Sequence, residues 1–264
     1  MRLGHALVLG ALIAGGCHAA PKAEQECEGS SCANSMSEAA KPVILTASDG
    51  VKVYGSFYEA AKPKALILLF HQAGSSKDEY ATIAPRLRDA GYSALAIDQR
   101  SGGGLYGVNE TAEGLGHKAD YLEARPDLQA ALDWARQQKL PIILWGSSYS
   151  SALIFPLAAG DPEGVVALLS FSPGEYFDQD KHMIRSGAAK VTVPVFVAST
   201  NSAEEVGEAD PIMAAVPKNA ANVRYVPEHG VHGSSTLIAK RNPDGAEGGW
   251  RAVLAFLGSV VPAK

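Results

Sequence analysis

No cysteine follows position 32 of this 264-residue chain. Whatever the folded part does, it does without a thiol nucleophile. Charge is sparse: only 19% of residues are Asp, Glu, Lys or Arg, and the formal net charge is −5. There is no basic excess to pair with nucleic acid or an anionic membrane surface. The apolar run at residues 6–16 is too short to span a bilayer. No internal repeat occurs. The glycine-rich stretch Ser101-Gly102-Gly103-Gly104-Leu105-Tyr106-Gly107 lacks the lysine-serine pair that would make it a phosphate cradle, and reads as a flexible connector near the site. What is abundant is apolar material. At 47% hydrophobic, the chain can fill the core of one α/β domain of ordinary size.

The N-terminus is predicted to be a targeting segment, residues 1–17, with Arg2 as a minimal positive region before the apolar stretch. Ala14-Gly15-Gly16-Cys17 resembles a bacterial lipoprotein signal, although Ala14 stands where a larger aliphatic residue is usual. The other reading is ordinary cleavage after Ala19 or Ala20. The lipoprotein reading is preferred, because lipidation at Cys17 leaves Cys27 and Cys32 as an even pair in an exported chain. Any membrane contact would come through that lipid. Residues 18–41 are rich in Ala, Glu, Ser and Lys and lack aromatics, the composition of a solvated tether. Export to the periplasm or cell envelope follows as the expectation, with residues 42–264 as the folded domain.

The strongest local signal is Gly146-Ser147-Ser148-Tyr149-Ser150. An apolar run, Pro141-Ile142-Ile143-Leu144-Trp145, reads as a buried strand before it, and a helix-like apolar run, 152–159, follows. Strand, sharp turn with a central serine, then helix is the context of a nucleophile elbow. Only Ser148 has a glycine two residues earlier, where a side chain would crowd the turn. Serine 150 replaces the glycine usual at the last position.

Elsewhere, 43–46 and 51–58 read as a hairpin around Ser48-Asp49-Gly50. Runs 65–70 and 92–97 read as strands buried on both faces. Ser76-Lys77-Asp78-Glu79 reads as a capping box opening a helix that runs to about Ala90. A helix is expected over 126–138, with Pro126 at its first position. Strands are expected at 165–171, 191–198 and 223–226, a short helix over 211–216, and a closing helix containing 250–257. Alternating strands and helices predict a mostly parallel sheet with ligands at the strands' carboxyl ends.

Four motifs occur in order: His71-Gln72-Ala73-Gly74, Ala96-Ile97-Asp98-Gln99-Arg100, Gly146-Ser147-Ser148-Tyr149-Ser150 and Gly230-Val231-His232-Gly233. With them, residues from about 43 to 260 resemble an α/β-hydrolase, and within that superfamily the small, cap-less dienelactone-hydrolase-like group. The resemblance implies a three-layer α/β/α sandwich on a mostly parallel eight-stranded sheet without a large cap, and a triad of Ser148, an acid and His232. Dienelactone hydrolases proper carry a cysteine nucleophile; Ser148 here moves the expected chemistry toward plain ester hydrolysis.

A serine hydroxyl needs a base, and the base a carboxylate. His229 and His232 follow the last strand, where the base belongs. His232 is preferred because Gly233 leaves its ring room; His229 is the fallback. The spacing His-x-x-His lacks a helix and a third ligand, so no metal is expected, nor any cofactor. The acid should follow the strand ending near Ala198, where there is no aspartate. Glu204 is preferred to Glu205, and Asp210 lies late. The backbone N–H groups of Tyr149 and Ala73, with Gln72 next in line, are the candidate oxyanion donors. His71 is expected to brace this loop and to lie near substrate. Tyr149, Tyr176, Phe177 and Met183 are candidate pocket residues. The expected activity is hydrolysis of a small-molecule ester. The rivals are a serine peptidase or amidase of the same fold, and a surface lipoprotein that binds through a degenerate hydrolase fold.

Overall fold

The computed structural model describes residues 39–261. The expected targeting segment with Cys17, the pair Cys27 and Cys32, and most of the expected tether lie outside the described residues. The first strand starts at Lys41, within the stretch assigned to the tether.

Eight strands form one sheet: β1 (Lys41–Thr46), β2 (Lys52–Tyr58), β3 (Leu66–Phe70), β4 (Ser93–Ile97), β5 (Ile142–Ser147), β6 (Val165–Phe171), β7 (Val195–Ala198) and β8 (Val223–Tyr225). Their spatial order is β1-β2-β4-β3-β5-β6-β7-β8. The β1–β2 and β2–β4 pairs are antiparallel and all others parallel. The expected three-layer α/β/α architecture is present, with no large cap.

The continuous apolar runs explain the layers. Every residue of β3 is buried, and successive side chains point to opposite faces. Leu66, Leu68 and Phe70 join one core with helices α3 (Arg125–Gln137), α4 (Tyr149–Gly160), α5 (Met183–Ala188) and α6 (Ala203–Ala215). Ile67 and Leu69 join the other, with α1 (Ile83–Asp89) and α7 (Ala246–Val260). The remaining helix, α2 (Glu110–Leu115), packs beside β2, whose Tyr54 N–H donates to the Thr111 hydroxyl at 3.0 Å.

Helices α2 and α5 have no counterpart in the expected pattern, and three expected segments differ in their bounds. The helix from residue 76 to 90 is broken: Ser76 caps a single 3-10 turn, Lys77–Tyr80, and α1 starts only at Ile83. The strand at 191–198 is shortened to begin after Pro194, which has no N–H for the ladder. Helix α6 begins eight residues before Pro211, capped by Ser202, and carries the proline inside it. Burial of Ala209 and Ile212 against the sheet outweighs the proline's local preference for a helix start.

Candidate active site

Ser148 stands between β5 and α4 with φ 58° and ψ −125°. That left-handed backbone is strained for serine, at a cost of order 1–3 kcal/mol, and such strain concentrates at functional sites. The turn is closed by Ser148 N–H donating to the Phe171 carbonyl at 2.8 Å. A Cβ on Gly146 would lie 2.4 Å from Ser151 Cα, so only glycine fits. Ser150, where glycine is usual, is wholly buried and joins two segments of backbone. Its hydroxyl accepts from Ser147 N–H at 2.9 Å and lies 2.8 Å from the Phe70 carbonyl, tying the elbow to the end of β3.

His232 Nδ1 lies 2.9 Å from Glu205 Oε1. Glu205 also accepts from the Ser172 hydroxyl at 2.7 Å and from Thr200 N–H at 2.9 Å. Burial by itself would raise this carboxyl, but these three donors and the charge of His232 pull it down to about 2. The same Ser172 hydroxyl accepts from Gly233 N–H at 3.0 Å, locking the histidine loop to the end of β6. Gly233 has φ 67°, and a Cβ there would lie 2.4 Å from Ser147 Oγ. The glycine is therefore required by contact with the elbow, rather than by room for the ring. Among the described residues no hydrogen bond joins Ser148 to His232.

The other acid and base candidates are not brought to this point. Glu204 is exposed one residue away on the outer side of α6. Asp210 pairs with Arg224 at 2.8 Å. His229 is exposed, 4.0 Å from Glu228. No three of His, Cys, Asp and Glu cluster as a metal site would need among the described residues.

The loop 71–74, the expected source of an oxyanion donor, also differs in part from expectation. Gln72 N–H is not free: it donates to Glu79 Oε2 at 2.8 Å. Tyr149 N–H, at the first turn of α4, and Ala73 N–H have no protein acceptor among the described residues, leaving two donors. His71 is completely buried and so does not touch substrate. Its Nδ1 lies 2.8 Å from the Gln72 carbonyl and its Nε2 accepts from Gln99 N–H at 2.9 Å, which sets one tautomer. Burial lowers its pKa to about 4, so it stays neutral. His71 is a brace that couples β3 to the loop after β4. Asp98 and Arg100 of the second motif are structural too. Asp98 accepts from Lys77 and from Glu110 N–H, and Arg100 pairs with buried Asp127.

Of the pocket candidates, Tyr149 and Phe177 are buried, and Met183 packs on the core. The Tyr149 ring stacks on Tyr121 at 4.5 Å and its hydroxyl meets Ser101 at 2.7 Å. Tyr176 does face the site: it is partly exposed and its hydroxyl donates to the Ser172 carbonyl at 2.6 Å. Burial raises the Tyr176 phenol, and the charge of Glu205 adds to the effect. A depression of about 510 Å³ opens beside loop 71–74, lined by Gly74, Ser101, Gly102, Lys118 and Tyr121 among others. The glycine-rich connector thus shapes this pocket, held by Leu105 N–H donating to the Gly74 carbonyl at 3.0 Å. The larger cavity, about 660 Å³, lies between α3 and α4, and neither cavity is lined by a residue of the elbow or histidine loop.

One site residue went unread in the sequence. Glu79 lies behind the elbow, 1% exposed, and accepts from the Ser147 hydroxyl at 2.7 Å as well as from Gln72 N–H.

Solved structures share this architecture. Dienelactone hydrolase from Anabaena variabilis superposes with a TM-score of 0.66 at 18% identity, covering 84% of this chain and 98% of that one. A thermostable carboxyl esterase from Bacillus coagulans gives 0.66 at 13% identity, over 84% and 99%. Est1E from Butyrivibrio proteoclasticus, solved with ferulic acid, gives 0.63 at 16% identity, over 84% and 100%. At these identities the likeness establishes the fold. No curated protein sequence matches significantly. The sequence profile of the serine aminopeptidase S33 family matches residues 61–218. The chain belongs to that family. It is accordingly an α/β-hydrolase. Its elbow, Glu205 and Tyr176 fall within the matched stretch of this S33 member, and His232 lies beyond it.

Proposed function

We propose that the protein is a serine hydrolase that cleaves small carboxylic esters through an acyl-enzyme. The single observation that carries this reading is the His232–Glu205 pair, anchored through Ser172 beside the strained Ser148. Ser148 Oγ attacks the ester carbonyl and its proton passes to His232 Nε2. Glu205 holds the Nδ1–H side of the ring and stabilises the imidazolium. Tyr149 and Ala73 N–H groups receive the oxyanion, each worth roughly 3 kcal/mol. The tetrahedral intermediate collapses, the alcohol leaves with the proton from His232, and water, activated by the same ring, releases the acid and restores Ser148.

The neighbours named above include a carboxyl esterase. The family description gives the second reading, an amide-cleaving peptidase, its support. Turnover of p-nitrophenyl acetate against an aminoacyl p-nitroanilide separates the two, with Ser148→Ala as the control. Ester turnover that survives in Ser148→Ala would refute the mechanism, and no turnover by folded wild type would favour the non-catalytic reading. Export, with lipidation at Cys17, is part of the proposal. Palmitate labelling lost in Cys17→Ala is the expected result.

A further inference from the structure

Glu79 is a carboxylate with 1% exposure and no cationic partner within salt-bridge distance among the described residues. Burying such a group is costly unless its oxygens are well supplied with donors. The donors here come from two different catalytic segments. Oε2 takes Gln72 N–H of the oxyanion loop at 2.8 Å, and Oε1 takes the hydroxyl of Ser147, the residue before the nucleophile, at 2.7 Å. Ser147 Oγ in turn accepts from Ser234 N–H at 2.9 Å, two residues after His232. The histidine loop is held again from the same side, since the Gln72 amide donates to Ser235 Oγ at 3.2 Å and Trp145 Nε1–H donates to Ser234 Oγ at 2.9 Å. Tyr80, next to Glu79, donates its hydroxyl to the Phe70 carbonyl at 2.5 Å.

We propose that Glu79 is a positioning residue for the hydrolase: one buried carboxylate sets the oxyanion loop, the elbow and the histidine loop in register. Resting on Ser148 as nucleophile, the inference adds what aligns the donors with it. The bond to Gln72 explains why that N–H is not an oxyanion donor: it is spent on orientation, and the next one, Ala73 N–H, is left to face the substrate. The Ser147 hydroxyl can donate only because Glu79 accepts, which frees its lone pairs for Ser234 N–H. A glutamine at 79 that keeps Gln72 N–H must turn its NH₂ toward Ser147, leaving that hydroxyl with no acceptor. Small displacements of catalytic groups are expensive in rate, about 100-fold for an ångström.

The test compares wild type, Glu79→Gln, Glu79→Asp and Ser147→Ala. One portion of each is titrated to completion with a fluorophosphonate to count competent sites, and a separate, untreated portion is assayed on p-nitrophenyl acetate. Glu79→Gln should lower kcat per titrated site about 10- to 100-fold with KM within about twofold. Glu79→Asp should recover part of the loss, and Ser147→Ala should have the same kcat-only defect. A purely structural residue would reduce the number of titrated sites and leave kcat per site unchanged; that result overturns the proposal. If Glu79→Gln does not fold, Ser147→Ala decides by the same criterion. Wild type that neither labels nor turns over would overturn the nucleophile reading and this inference together, and it is distinguishable because in the first failure wild type remains active.

Discussion

Replacing Glu205 by glutamine removes one charge and changes almost no volume. The carboxylate accepts three hydrogen bonds, from His232, Ser172 and Thr200, and its pKa falls from the ordinary 4.5 to about 2. Each pKa unit is worth 1.36 kcal/mol, so ionised Glu205 contributes about 3 kcal/mol to folding at neutral pH. Because the folded pKa is depressed, this stabilisation is fully present above 4.5 and is lost as pH falls through about 2. Glu205→Gln should therefore be less stable than wild type at pH 7, and the gap should narrow by about 2 kcal/mol at pH 3. Urea unfolding at the two pH values measures it. Ester turnover at pH 7 should fall by about three to four orders of magnitude, because an amide holds the imidazole in the wrong tautomer. Glu204→Gln, at an exposed position, should change neither quantity appreciably. A stability gap independent of pH, or a larger activity loss in Glu204→Gln, would refute the assignment.

Other predictions are of different kinds. Burial raises Glu79 to about 7 despite its donors and the charge of His232, so its contribution has the opposite sign. Stability is favoured while both states are protonated, below 4.5, and declines by about 3 kcal/mol as pH rises through 7. In Glu79→Gln that decline should disappear from the pH profile of the unfolding free energy; a profile parallel to wild type would contradict it. Ser150→Gly restores the usual motif yet should destabilise by about 1–3 kcal/mol, since it strips hydrogen bonds from the elbow and the end of β3. Thermal unfolding checks this, and an unchanged or higher Tm would count against the role given to Ser150.

The residues that were legible in the sequence are those whose environment is set by neighbours in the chain. The apolar runs of β3, β4 and β5 could be buried only on both faces of a sheet, and Gly146 alone chose Ser148. What was not legible depends on distant partners. Two tetrads share the pattern Ser-x-x-Glu, Ser76 to Glu79 and Ser202 to Glu205. In each the serine accepts a backbone N–H, as a helix cap does, and in each the glutamate leaves the cap to serve the site. Glu79 turns toward Ser147, 68 residues away, and Glu205 toward His232, 27 residues away. The cap at Ser202 was the available signal for the acid: it places Glu205 in the third helical position, beside the turn before the helix, and Glu204 outward. Pro211 obscured it by marking a helix start in the middle of α6.

The central claim is that Ser148 is the nucleophile. Intact mass after fluorophosphonate treatment, followed by peptide mapping, tests it most directly. One adduct on the folded protein, mapped to Ser148 and absent from Ser148→Ala, is the predicted result. An unmodified wild type, or an adduct mapping to another serine such as Ser147 or Ser150, would contradict it.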